Sequence, residues 1–100
     1  MGYSIDQLAR ETGLKRSFLA RAFKDALHIA GGDRVAAMDL LIQRLEMCME
    51  LVSMGVDFKQ AWKGTEFASG VRLNRILANA ARNAGSLASR AREIGKRLRK

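Results

Sequence analysis

The chain has 100 residues, of which 48% are hydrophobic, so its composition suits one folded domain and argues against a wholly disordered chain. It contains no proline and is rich in helix-forming residues, which predicts an all-α fold rather than a sheet protein. No apolar run is long enough to span a bilayer, and Asp6 appears before any signal-peptide pattern develops, so we expect a cytoplasmic protein.

The net charge of +8 lies in the last third of the chain. Residues 1–33 carry five basic and four acidic side chains, and residues 34–69 carry four and five. Residues 70–100 carry nine basic side chains against the single Glu93. This concentration of positive charge favours a polyanionic partner, although charge alone does not separate DNA from RNA or an anionic membrane surface.

Two helices are predicted in the first third of the chain. Ser4 with Gln7 three residues later is a capping-box pattern, which marks the start of the first helix, and Gly13 ends it. A second helix is expected over 15–28, ended by the glycine pair at 31–32. Its apolar side chains recur at helical spacing: Phe18, Leu19, Ala22, Phe23 and Leu27.

The middle of the chain indicates a long core helix over 34–54, with Asp33 as its N-cap. Cys48 is the only cysteine, so no internal disulfide can form, and its apolar neighbours favour a buried structural role. A short helix capped by Asp57 follows, and a final helix is expected from about residue 71 to residue 98. The apolar positions of the long helix surround most of its circumference: Val35, Met38, Leu41, Ile42, Leu45, Cys48, Met49 and Val52.

The segment 5–24 has the spacing of a helix-turn-helix. Ala9 supplies the small residue needed where the two helices cross, and Gly13 supplies a residue that accepts a left-handed backbone in the turn. Three apolar anchors stand where the helix pair must be held together: Leu8, Leu14 and Leu19. These spacings agree with one another, so the sequence predicts a helix-turn-helix here.

The polar side of the second helix suits DNA. Arginine can bind guanine bidentately, which contributes about 1–3 kcal/mol of discrimination for a good contact. Lys15 and Lys24, near the two ends of the helix, are better placed for phosphates. The alternative is a solvated basic surface on an ordinary helical hairpin. The residues expected to face outward, and therefore to contact DNA, are Lys15, Arg16, Ser17, Ala20, Arg21 and Lys24.

The sequence LARETGLKRSFLARAFKDAL, residues 8–27, resembles the first helix-turn-helix of the AraC/XylS family of transcription regulators. The resemblance implies two helix-turn-helix halves joined by a central helix, here similar to residues 44–52. Residues 57–77 resemble the second half, with Phe67, Leu73 and Leu77 on apolar positions of the family. Trp62 and Glu66 depart from the family pattern, which has a small residue and a glycine there. The second half implies another DNA-reading helix at about 71–79, with Arg72, Asn74, Arg75 and Asn79 as its polar side chains.

The final helix carries a heptad seam, with members alternately four and three residues apart: Leu73, Leu77, Ala80, Ala84, Leu87, Ala91, Ile94 and Leu98. We expect it to pair two chains into a homodimer, since dimers bind two half-sites. The dimer contact would then use Leu77, Ala80, Ala84, Leu87, Ala91 and Ile94. The alternative is that the seam folds back on helix 34–54 of the same chain. The basic end is either a phosphate-contacting arm or a solvated tail, and its candidate DNA contacts are Arg90, Arg92, Lys96 and Arg97.

Catalytic chemistry is not indicated. His28 is the only histidine, and the carboxylates are scattered without metal-ligand spacing or a phosphate-binding glycine loop. Trp62 and the phenylalanines are expected to fill the core rather than to form a platform for single strands. We therefore expect no enzyme, no cofactor, no metal and no small-molecule substrate.

Taken together, these patterns favour a sequence-specific double-stranded DNA-binding protein, a nucleoid-associated transcription regulator that reads the major groove with helix 15–28. A DNA-binding accessory protein of a plasmid or phage system, acting in conjugation, replication or recombination, remains an alternative. A helical protein-interaction adaptor that uses the seam, or an RNA-binding protein, is a further one. We expect about five helices, arranged as a helix-turn-helix-containing domain over 1–85 and a basic C-terminal helical extension over 86–100.

Overall fold

The computed structural model describes residues 3–65 and 87–98, and these ranges contain five α-helices and no strand. The predicted all-α fold is confirmed. In chain order the helices are α1 (Ile5–Thr12), α2 (Arg16–Ile29), α3 (Arg34–Ser53), α4 (Phe58–Gly64) and α5 (Leu87–Leu98). None of these helices is both long and apolar enough to cross a membrane.

Three of the described helices, α1, α3 and α4, begin where a side chain accepts a hydrogen bond from a free backbone N–H group of the first turn. The backbone N–H of Ser4 donates to Gln7 Oε1 at 2.9 Å, and the N–H of Gln7 donates to Ser4 Oγ at 3.2 Å, which confirms the capping box. Asp33 and Asp57 accept backbone hydrogen bonds in the first turns of α3 and α4. These starts are therefore set by local sequence.

The core surrounds α3, the long central helix predicted from its apolar pattern. Ten of its twenty residues are buried, and α1, α2, α4 and α5 all contribute to the same cluster. Cys48 lies in this cluster with no exposed surface, and burial raises the pKa of its thiol. Among the described residues, the large aliphatic side chains that are fully buried are those of Leu8, Leu19, Leu41, Ile42 and Leu45.

The last helix, α5, is part of this core and not an extension of it. It packs against α1 and α3, and Leu87, Ala91 and Ile94 are buried in the common cluster. The predicted division into a domain over 1–85 and an extension over 86–100 therefore needs correction, because removal of the last segment would expose the core.

The same burial corrects the predicted dimer seam at its described positions. Leu87, Ala91 and Ile94 face the chain's own core and do not form an exposed seam, while a homodimer of the chain stays a prediction. The structure instead has the alternative arrangement, in which this part of the seam folds back within the chain. The other predicted dimer contacts, Leu77, Ala80 and Ala84, lie outside the described residues.

An ion-pair cluster fixes α5 to α3. The Arg90 guanidinium donates to Asp39 Oδ1 and, at 2.6 Å, to Glu46 Oε1. The Asp39 side chain has no exposed surface, and that of Arg90 is 19% exposed. Burial alone would lower the pKa of Arg90, but its hydrogen bonds to Glu46 and Asp39 raise it above the ordinary arginine value. This arginine therefore stays charged and holds two helices together.

Candidate nucleic-acid interface

The connection between α1 and α2 spans only residues 13–15. Gly13 adopts a left-handed conformation with φ of 76°, and its N–H donates to the carbonyl of Ala9 at 2.8 Å. The predicted need for glycine here is confirmed, since the left-handed region costs about 1–2 kcal/mol for a residue with a Cβ. The short turn holds α2 at one orientation relative to α1.

Thr12 supports this turn in a way that sequence spacing missed. Its side chain is almost fully buried, and its hydroxyl donates to the carbonyl of Leu8 at 2.7 Å. The same oxygen accepts a hydrogen bond from the N–H of Leu14 at 3.3 Å. A threonine next to a left-handed glycine at a helix end is the signal that points to this role.

The α2 helix has an apolar inner side and a cationic outer side. Leu19, Ala22, Phe23 and Ala26 are buried against the rest of the chain. Most of the predicted DNA-contacting side chains are exposed, namely Lys15, Arg16, Ser17, Arg21 and Lys24, whereas Ala20 is half-buried. We call these six residues the α2 surface. Five of the six residues predicted to face outward are therefore exposed at the N-cap and along the outer side of α2, and Ala20 is partly exposed.

One member of the α2 surface has an acidic neighbour. Arg16 Nε donates to Asp6 Oδ1 at the first turn of α1, and both side chains are 65% exposed. Exposed pairs of this kind contribute about 0–1 kcal/mol, so a phosphate or a base edge can replace the carboxylate at small cost. The pair holds the Arg16 side chain above the start of α2 without burying it.

A groove with a volume of about 320 Å³ lies between α2 and α4. Its basic lining comes from Arg21 of the α2 surface and from Arg44, Lys59 and Lys63, and Asp25 is the single carboxylate among the described lining residues. Sequence analysis did not identify the two α4 lysines. Their signal is the spacing of four residues, which places them on one side of a short helix.

Three aromatic side chains form the floor of this groove. The ring of Phe18 lies 4.8 Å from that of Trp62 and 6.1 Å from that of Phe58, measured between centroids. The Arg44 guanidinium lies over the Trp62 ring at 3.7 Å and donates to the Trp62 carbonyl at 2.7 Å. The three rings are partly buried and pack on one another, and Arg44 covers the Trp62 ring. They therefore fix α4 against α2 and offer no open platform on which bases can stack.

The residues predicted to contact DNA from the basic C-terminal arm differ in their exposure and in their ion pairs. Arg90 is held by Asp39 and Glu46, so its guanidinium is committed inside the fold and the prediction of a phosphate contact at this position needs correction. Arg92, Lys96 and Arg97 are exposed, and Lys96 lies 3.4 Å from Glu93. Arg72, Asn74 and Arg75, predicted for a second DNA-reading helix, lie outside the described residues.

The part of the chain that the structure describes contains no candidate metal site. No group of three His, Cys, Asp or Glu side chains there is arranged to hold an ion. His28 is exposed in the last turn of α2, where its position suits the negative end of the helix dipole.

Comparison of the chain with protein-family models, with curated proteins and with solved structures finds no match. The resemblance of residues 8–27 to the AraC/XylS family therefore stays a prediction that depends on those residues alone.

Proposed function

We propose that this protein binds double-stranded DNA in a sequence-dependent manner, with α2 lying in the major groove, and that it acts as a transcription regulator. The observation that carries the proposal is the α2 surface, with three exposed cations on α2 and a fourth, Lys15, at the N-cap that ends the three-residue turn. A major groove about 12 Å wide accepts a helix, and arginine side chains there can read guanine edges.

The roles on the α2 surface divide by position and chemistry. Arg16 and Arg21 carry planar guanidinium groups, which suit bidentate hydrogen bonds to a base edge. Lys15 and Lys24 stand near the ends of the helix and act as point charges for phosphates, which set affinity and register. A DNA-binding accessory protein of a plasmid or phage system would use the same surface, so DNA binding is the property to test first.

The test is selection of a preferred duplex from a random pool, followed by titration of that duplex and of a scrambled one. We expect Arg16→Ala and Arg21→Ala each to lower the preference for the selected duplex about 5- to 100-fold, equivalent to about 1–3 kcal/mol. Lys24→Ala should instead weaken binding to both duplexes alike.

Arg92→Ala is the matched control, because it removes the same charge from an exposed position on α5. It should leave the preference between the two duplexes unchanged. If the intact protein binds every duplex equally, or binds structured RNA in preference to duplex DNA, the proposal is overturned.

A further inference from the structure

The cationic area of the molecule continues beyond α2 and across the groove to α4. Arg21 belongs both to the α2 surface and to the groove lining, where Lys59 and Lys63 are also found. Both lysines are exposed, and side chains four residues apart on a helix lie roughly 6 Å from each other. The α2 surface therefore has a second row of positive charge at its edge.

The construction of the groove fixes where these lysines stand. Phe58 and Trp62 alternate with the lysines along α4 and pack on Phe18 of α2. The two helices are thereby joined by side-chain packing, and the lysines are carried at a set position relative to Arg21. A row of charge fixed beside a DNA-reading helix matches a phosphate backbone, which is itself a regular row of charge.

We propose that Lys59 and Lys63 bind phosphates of the DNA strand that borders the α2 contact, which makes α4 a second, sequence-independent part of the interface. This inference rests on the proposed function, because it requires a duplex bound at α2. A nucleobase is a poorer occupant, since Arg44 lies over the Trp62 ring and Phe18 packs beside it. The groove thus supplies charge and not stacking.

Asp25 allows a test in which removal of one groove carboxylate is expected to raise the affinity for DNA. Among the described residues it is the only carboxylate that lines the groove, and it lies on the exposed side of α2 one turn after Arg21. A carboxylate next to bound phosphates weakens binding by repulsion. Asp25→Asn should therefore raise the affinity for any duplex about two- to fivefold, the size of one exposed charge interaction. Glu50→Gln, which neutralises an exposed carboxylate of α3, is the matched control and should change the affinity less.

The direct experiment is lysine acetylation of the intact protein, free and bound to its selected duplex, with each site followed by mass spectrometry. We expect Lys59 and Lys63 to become protected in the complex together with Lys24. Protection of Lys24 with full reactivity at Lys59 and Lys63 overturns the inference and leaves an acidic protein segment as the alternative occupant. If no duplex binds and none of Lys24, Lys59 and Lys63 becomes protected, the proposed function itself has failed.

The double variant Lys59→Gln/Lys63→Gln provides the second measurement. Each neutralised phosphate contributes about 0.9 to the slope of log K against log salt, so the variant's slope should be shallower by about two. Its preference between the selected and scrambled duplexes should equal that of the intact protein. A slope that does not change, in a variant with the same circular dichroism spectrum and thermal midpoint, overturns the inference.

Discussion

Tyr3 is the only tyrosine of the chain, and its hydroxyl oxygen is buried just before the start of α1. Burial raises the pKa of Tyr3 to about 12, and the nearby Glu11 carboxylate adds to the rise. The phenol is a weaker acid in the folded chain than in the unfolded one, so folding and ionisation oppose each other. Tyr3, two residues before the first helix, is therefore a reporter of folding at alkaline pH.

We predict that the absorbance change of tyrosine ionisation has its midpoint near pH 12 in the folded protein, rather than at the ordinary value of about 10. Because the folded-state pKa is the higher one, the stabilisation is complete below about pH 10 and is lost as the pH rises toward 12. Urea unfolding at about pH 9 and about pH 11 measures that loss.

Tyr3→Phe is the control for this titration, since it keeps the ring and removes the ionisable group. It should lose less stability than the intact protein over the same pH interval. A spectroscopic midpoint near 10, in a protein that is still folded, would show that the hydroxyl is open to solvent.

At the scale of the elements, α1 and α5 approach each other closely at Gly95. Gly95 is buried in α5 against the last turn of α1, and a Cβ built there would overlap the carbonyl oxygen of Glu11 and lie 3.3 Å from Thr12 Cα. These neighbouring atoms belong to the backbone of α1, so no flexible side chain can move aside to make room for a Cβ. The two helices pack at this distance only because position 95 has no side chain.

Gly95→Ala is expected to destabilise the protein by about 1–3 kcal/mol, because overpacking outweighs the helix propensity that alanine normally adds. Chemical unfolding with a two-state fit measures the change. Gly64→Ala is the matched control, since a Cβ at the last position of α4 meets no atom of the described residues within 4 Å. If both substitutions are neutral or stabilising, the α1–α5 contact is looser than described.

At the scale of the whole molecule, the ion pairs of Arg90 with Asp39 and Glu46 join the C-terminal helix to the central helix. Asp39 is fully buried in the central helix, and an unpaired charge there is costly. Arg90 and Glu46 complete the cluster, so α5 is joined to α3 by charge as well as by apolar packing. A basic residue that contributes to the net charge therefore serves the fold.

Arg90→Ala should lower the free energy of unfolding by about 3–5 kcal/mol, since it leaves a buried carboxylate without its partner. Arg92→Ala, two residues away on the exposed side of α5, should change it by less than about 0.5 kcal/mol. Denaturant midpoints of the two variants, measured side by side, give the comparison. Similar values for both would mean that Arg90 does not stabilise the fold more than an exposed arginine does.

Local chemistry accounts for the features that were predicted well. The capping box at Ser4, the aspartate caps at Asp33 and Asp57, and the left-handed turn at Gly13 each depend on residues within a few positions. The outward set on α2 followed from helical periodicity alone. These are signals that one segment carries by itself, so they survive in any tertiary arrangement.

Features that join distant segments were missed or misassigned. Arg90 meets carboxylates 44 and 51 residues away, and Lys59 lines a groove with Arg21 although the two are far apart in the chain. A heptad seam has the same spacing whether it packs within one chain or between two, so position alone left Leu87, Ala91 and Ile94 undecided.

The amino-acid sequence by itself determined the all-helical class, the helix ends and the exposed cations of α2, because capping, turn geometry and periodicity act over a few residues. Only the tertiary structure decided that α5 completes the core and that Arg90 forms ion pairs which stabilise the fold. It also decided that α4 brings two lysines to the edge of the α2 surface. Those outcomes depend on which buried group meets which partner across the fold, and burial is a property of the assembled chain.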